Sequence, residues 1–185
     1  GAYLSTIGLF MALESGVYYR EWVYTHDEKD MTEADRLQVV FELQEEIDKV
    51  DIFVGHNLKF DMNWITSINV DLSKVQPWCT QLTEFMLCGQ DKSIYGPGPM
   101  QNLSSTCERY GLPVKTDIVK TYWDAGVDTA QVPLRILLPY MKNDIMITAE
   151  LFKRQYVSLK KQPKLKTLCD VRNKALHVMS ELELR

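Results

Sequence analysis

Two short stretches of this chain carry side chains that could do chemistry together. The first is Val50-Asp51-Ile52-Phe53-Val54-Gly55-His56-Asn57-Leu58-Lys59-Phe60-Asp61. Ile52-Phe53-Val54 is long enough for a buried strand and too short for a helix. Gly55 breaks the run, polar residues follow, and a second apolar-periodic segment starts near Met62. Strand, glycine turn, helix is how an α/β sheet presents side chains at the carboxyl ends of its strands, where such folds keep their ligands. Asp61 would open the second helix, where the helix dipole favours a carboxylate that is still free to hold a metal ion. The plainer reading is that Asn57 and Asp61 cap the helix. The second stretch, Pro139-Tyr140-Met141-Lys142-Asn143-Asp144-Ile145-Met146, lies in a long helical pattern. Tyr140 and Asp144 are four residues apart and so share a helix face. A phenol and a carboxylate then point the same way, on a helix whose Leu137, Leu138, Met141, Ile145, Leu151 and Phe152 read as core. An ordinary surface pair is the plainer reading of that spacing on its own.

The elements that must position these groups follow from periodicity and punctuation. At 185 residues the chain suits one α/β domain with a sizeable core. Residues 2–13 and 17–24 read as two strands joined by the Glu14-Ser15-Gly16 turn. Tyr18, Tyr19, Trp22 and Tyr24 on the second could stack nucleobases, with sheet packing the commoner use of such residues. Thr32-x-x-Asp35 is a capping box that starts a helix with Leu37, Val40, Phe41, Leu43, Ile47 and Val50 on one side. Its Glu42, Glu45, Glu46 and Asp48 read as solvated surface. Short helices are expected over 62–68, 82–88 and 103–110, with a short strand before Thr80. A Gly- and Pro-rich loop covers 89–100, with Lys92 and Tyr95 near its tip, and could supply strand contacts or be a simple surface connection. Residues 116–128 read as mixed loop and turn, and Pro133 opens a helix that runs to about Val157. Lys153, Arg154, Lys160, Lys161, Lys164 and Lys166 form the only basic cluster, a set of phosphate contacts or a solvated helix end and linker.

Composition narrows the classes. The net charge of −4 gives no global basic footprint of the kind that drives non-specific nucleic-acid binding. Cys79, Cys88, Cys107 and Cys169 lack metal-ligand spacing and read as reduced, mostly buried thiols. No signal peptide and no stretch long enough to span a bilayer is present. A reducing, soluble compartment is expected: the cytoplasm, or a host's cytoplasm for a phage protein.

Taken together, Asn57-x-x-x-Phe60-Asp61 followed by Tyr140-x-x-x-Asp144 resembles the second and third motifs of the DEDDy 3′–5′ exonucleases, above all the proofreading domain of family A (Pol I-like) DNA polymerases. The likeness covers nearly the whole chain. Residues 6–10 with the turn after them look like that domain's second and third strands, and residues 102–112 like the helix before its third motif. Residues 175–184 are similar to the helix through which these polymerases enter their polymerase domain. The resemblance implies a ribonuclease H-like (DnaQ-like) α/β fold, a mixed central sheet flanked by helices. It implies an exonuclease domain over 1–158 and a basic linker and helix over 159–185, leading toward a polymerase domain in cis or trans.

The chemistry it implies is hydrolysis of a 3′-terminal phosphodiester in single-stranded DNA by two divalent cations, Mg²⁺ or Mn²⁺. On that reading Asp61 and Asp144 hold metal and Tyr140 orients the attacking water. Asn57 and Phe60 line the pocket for the terminal nucleotide, and Lys59 is a weaker candidate for phosphate contact. The family's first motif, Asp-x-Glu on the opening strand, does not occur in these residues; Ala12-Leu13-Glu14 is the nearest echo. The first strand is therefore expected to lie outside this chain, and little nuclease activity is expected of it alone. In many relatives an Asp-Thr pair begins the helix where Cys79-Thr80 stands. Two other readings share the motifs: a silent exonuclease fold that serves as a scaffold for a polymerase or another partner, and a ribonuclease D-like enzyme that trims RNA 3′ ends.

Overall fold

The computed structural model describes residues 4–89, 91, 93, 102–113 and 118–184. Most of the 89–100 loop, including Lys92 and Tyr95, lies outside the described residues. The chain divides into two compact units, residues 1–49 with 115–146 and residues 50–114 with 147–185.

The first unit is built on a hairpin of β1 (Thr6–Leu13) and β2 (Gly16–Val23), paired Ile7↔Trp22, Leu9↔Arg20 and Met11↔Tyr18 on one face. Gly16 closes the turn at φ +137°, a conformation side chains rarely adopt. Because strand side chains alternate, Ile7, Met11 and Trp22 share that face, and all three are buried. Against it lies α1 (Glu33–Ile47), opened by the expected Thr32/Asp35 capping box. Val39, Leu43 and Ile47, four residues apart, are its buried stripe, each worth about 1.5–3 kcal/mol. Gly8 is on the opposite face of the hairpin. A Cβ there would lie 2.6 Å from Ile145 Cδ1 and 3.0 Å from Met141 Cε, so the hairpin's glycine admits the long helix, α6 (Leu134–Lys160).

The acidic side of α1 is not simply solvated. Glu46 is buried and accepts hydrogen bonds from Tyr18 Oη (2.5 Å) and Arg20 Nη1 (2.7 Å), while Glu42 accepts from Arg20 Nη2 (2.6 Å) and Trp22 Nε1 (2.9 Å). Sequence periodicity missed this because the partners stand on β2, twenty or more residues away. Burial would raise the Glu46 carboxyl, but Tyr18, Arg20 and Lys49 outweigh it and bring it down to about 2. The carboxylate is covered by its own partners rather than by depth in the fold. A depressed glutamate stabilises above its ordinary value of 4.5 and loses that contribution as pH falls toward 2. The interval corresponds to about 3 kcal/mol. Glu46→Gln is therefore expected to lower the unfolding free energy by roughly 2–3 kcal/mol at pH 7 and to remove the loss of stability between pH 4.5 and 2; urea unfolding across that range checks it.

The second unit holds a parallel pair, β3 (Ile52–Gly55) and β4 (Gln76–Cys79), with α2 (Leu58–Ser67) following β3 and α3 (Thr80–Leu87) following β4. The far edge of β4 is closed. Gln76 donates toward β3, to Asp51 O at 2.7 Å, so alternation points the next positions away. There Pro77 has no N–H to offer, and the Cys79 N–H is taken by Asn173 Oδ1 at 2.7 Å. Trp78, Met86, Leu159 and Cys169 form the core here, and Cys107, Leu112 and Leu151 a second cluster. α4 (Leu103–Arg109), the second half of α6 and α7 (Pro163–Glu183) complete the unit.

Some expectations change. Among the described residues the strands form two two-stranded sheets, not one mixed sheet. Residues 118–124, read as loop, are a helix, α5 (Ile118–Asp124), whose Val119 is fully buried with Val132 and Leu137; Tyr122 and Trp123 had hidden its short apolar face. α6 runs to Lys160 rather than Val157, because its last turns bury Leu159. All four cysteines are free thiols, three of them buried. No helix of the described residues is long and apolar enough to cross a membrane.

Candidate active site

β3 ends at Gly55, and the chain turns sharply through Asn57, which sits in the left-handed region at φ 59°, ψ 40°. Asparagine tolerates this conformation better than most residues, and such positions cluster where function needs them. The capping reading of this stretch is not what forms: Asn57 precedes α2 but its side chain makes no capping hydrogen bond. α2 starts at Leu58, earlier than the apolar pattern at Met62 indicated, because Leu58 itself is buried to 1 % exposure. Asp61 therefore stands in the first turn rather than ahead of it.

The turn is held from beneath. Thr80 Oγ1 donates to Gly55 O at 3.2 Å and lies 3.0 Å from His56 Nδ1. A hydroxyl has one hydrogen, so with Thr80 donating to Gly55 O it is His56 Nδ1–H that donates to Thr80. Gln155 Nε2 on α6 donates to Thr80 O (2.9 Å) and to Glu84 Oε2 (2.8 Å), and Arg109 forms an ion pair with Glu84. Thr80 and Gln155 are fully buried. Sequence reasoning noticed Thr80 only as half of a departure and gave Glu84, Arg109 and Gln155 no role. Nothing in local spacing links residues on three helices.

Asp61 is solvent-exposed, with Oδ2 only 3.5 Å from where a Cβ on Gly55 would stand. Burial among surrounding protein atoms pushes its carboxyl up to about 7, opposed only by its own backbone N–H. The group is crowded by protein, and among the described residues no cationic side chain offsets its charge. Such a carboxylate is disposed toward a cation. Phe60 beside it is 58 % exposed and meets Trp64 edge to face at 6.3 Å, a large apolar ring open to solvent. Lys59 is committed to Glu183 of α7 in an ion pair, and Asn63 Nδ2 shares that carboxylate at 2.8 Å.

In the first unit, Tyr140 and Asp144 stand one turn apart on α6, as their spacing required. Pro139 just before them removes one intrahelical N–H and leaves the Arg135 carbonyl without its usual donor. Tyr140 packs on the Val119, Val132 and Leu137 cluster, and the Trp123 and Tyr140 rings meet in a T-shaped contact (6.1 Å, 85°). Trp123 is fixed in turn by Nε1 donating to Thr129 Oγ1 at 3.1 Å, and it is 43 % exposed. The structure thus groups Asn57, Lys59, Phe60 and Asp61 at the start of α2, and Tyr140 with Asp144 and Trp123 on α6 and α5. In the basic cluster Lys153 and Arg154 pair with Glu150, and Lys166 with Asp170, while Lys160 and Lys166 lie over the Tyr156 ring.

Asp61 and Asp144 offer hard oxygen donors of the kind Mg²⁺ and Mn²⁺ take. Among the described residues, however, no three His, Cys, Asp or Glu side chains form a group that could hold a metal.

The sequence model of the 3′–5′ exonuclease family matches residues 9–159. The chain belongs to that family, in agreement with its resemblance to the exonuclease domains of family A polymerases. A 3′–5′ exonuclease domain implies a nucleic-acid substrate. No curated protein and no solved structure matches the chain.

Proposed function

We propose that this domain removes nucleotides from the 3′ end of single-stranded DNA as the proofreading part of a family A polymerase, on a ribonuclease H-like fold. The observation that carries the reading is Asp61: an exposed, uncompensated carboxylate in the first turn of a helix, behind a left-handed Asn57, at the carboxyl end of a parallel strand. Asp61 and Asp144 would hold divalent cations, which supply an activated water and charge stabilisation when bound. Tyr140 would orient the attacking water through its hydroxyl, and Asn57 and exposed Phe60 would seat the terminal nucleotide. Lys59 would reach a phosphate only by leaving Glu183.

The reading needs further acidic ligands, because no Asp-x-Glu occurs in the 185 residues. The sheet supports a place for them. β4 is closed on its far side by Pro77 and Asn173, whereas among the described residues β3 pairs only with β4. A strand bearing the acidic pair, in cis or trans, would add at β3. The same missing pair favours a second reading, a silent exonuclease fold that acts as a scaffold for a polymerase or another protein. End-labelled oligonucleotides in Mn²⁺ distinguish the readings, assayed with the chain and with the longer form wherever the gene encodes residues before Gly1. Stepwise loss of a 3′ label with the 5′ label retained supports the exonuclease. Loss restricted to ribose 3′ ends would reassign it to RNA trimming, and no loss from any form would leave the scaffold.

Trp123 should matter to this site through Tyr140. Trp123→Ala is expected to lower kcat about tenfold with little change in KM, and Trp123→Phe to restore most of it, since an aromatic edge contact is worth about 0.5–1.5 kcal/mol. Equal loss in both variants would show that the indole is not acting through its ring contact.

A further inference from the structure

α7 has two apolar faces, and among the described residues only the inner one is packed. Cys169, Asn173, Leu176 and Ser180 are buried on its inner side. On its outer side Leu168, Val171, Ala175, Val178 and Leu182 recur at spacings of three, four, three and four, which is the a/d pattern of a helix that pairs with another helix. Their exposures are high: Leu168 44 %, Val171 61 %, Val178 58 % and Leu182 68 %, with Ala175 also exposed and Met179 beside them at 48 %. The family match stops at residue 159, before this helix begins.

We propose that this face pairs antiparallel with the same face of a second copy of the chain. The two faces complement each other in charge and in size. With the two-fold axis between residues 176 and 177, Ala175 meets Val178 and Val171 meets Leu182 of the second copy, small against larger in each layer. In that register the flanking position of Lys174 falls opposite that of Glu181 in the second copy, twice by symmetry. Among the described residues the helix's ion pairs are Lys59–Glu183 and Lys166–Asp170, and neither involves Lys174 or Glu181. A parallel pair would instead set Lys174 against Met179 and Thr167 against Arg172, with no opposite charges. In this register the apolar layers run from Val171 to Leu182, about 16 Å, so the contact is small and reversible association is expected. The proposal does not depend on the nuclease reading.

Sedimentation velocity of the full chain from about 5 to 200 µM tests it. A dimer fraction that rises with concentration is expected. Val178→Asp should raise the dissociation constant at least about tenfold. Lys174→Glu should raise it about fivefold, and Lys174→Glu with Glu181→Lys should restore it. These positions are exposed, and circular dichroism confirms that the variants fold. A chain that stays monomeric throughout, including one whose seam is instead taken up by a polymerase domain, overturns the proposal. A dimer untouched by Val178→Asp, or one that the charge swap fails to restore, overturns it equally.

Discussion

Asp144→Ala and Asp61→Asn are each expected to reduce 3′-nucleotide release at least about a thousandfold in any form that shows activity, with binding of the single strand much less affected. A metal-holding carboxylate acts mainly in the transition state, so the loss should fall on kcat rather than KM. The two positions should differ in stability. The Asp61 carboxyl is pushed up to about 7 by crowding protein with no cation to offset it. A carboxyl with a raised folded-state value stabilises the fold at low pH and loses that contribution as pH rises from about 4 to about 7. Removing the charge should therefore make the metal-free protein more stable at neutral pH. Asp61→Asn is expected to unfold at a higher temperature than the parent in EDTA at pH 7.5 and to flatten the fall in stability between pH 4 and 7. A residue that merely capped α2 would do the opposite, because losing a cap destabilises. Thermal unfolding of both variants with and without Mn²⁺ separates the two accounts.

The second large effect lies beneath the turn. Glu84→Ala is expected to lower unfolding free energy by about 3–5 kcal/mol, because it strands a largely buried guanidinium on Arg109. It also frees Gln155, which is fully buried and joins Glu84 to Thr80. The double variant Glu84→Ala/Arg109→Leu should recover much of the loss, since no charge is then left without a partner. The functional consequence runs through Thr80 to the Gly55 carbonyl and His56. Faster amide exchange from Gly55 to Asp61 in Glu84→Ala would show that the network holds the site turn; unchanged exchange would confine Glu84 to packing.

Why some of this could be read in the sequence follows from the range of the interactions. Tyr140 and Asp144 are tied by helix geometry over four residues, and the Thr32/Asp35 box by three, so spacing alone placed them. The strand–glycine–helix order around Gly55 was legible for the same reason. Where partners are distant, pattern failed. Glu46 looked solvated because Tyr18 and Arg20 are on another element. Leu58 was taken for loop, although it anchors α2 from the core, and α5 hid behind two exposed aromatics. Trp123 could have been noticed as a tryptophan upstream of a helical tyrosine, but its contact with Tyr140 depends on how α5 packs against α6. Grouping Asp61 with Tyr140 and Asp144 came from family resemblance, not from any spacing, since some eighty residues separate them.

The claim on which the account turns is that Asp61 and Asp144 hold a cation together with the substrate. Mn²⁺ titration followed by electron paramagnetic resonance, in the presence of a single strand with a non-cleavable 3′ linkage, measures this without requiring turnover. Saturable loss of the free Mn²⁺ signal that is abolished in both Asp61→Asn and Asp144→Asn is the predicted result. Binding that is absent from the parent chain, or that survives in both variants, would contradict it.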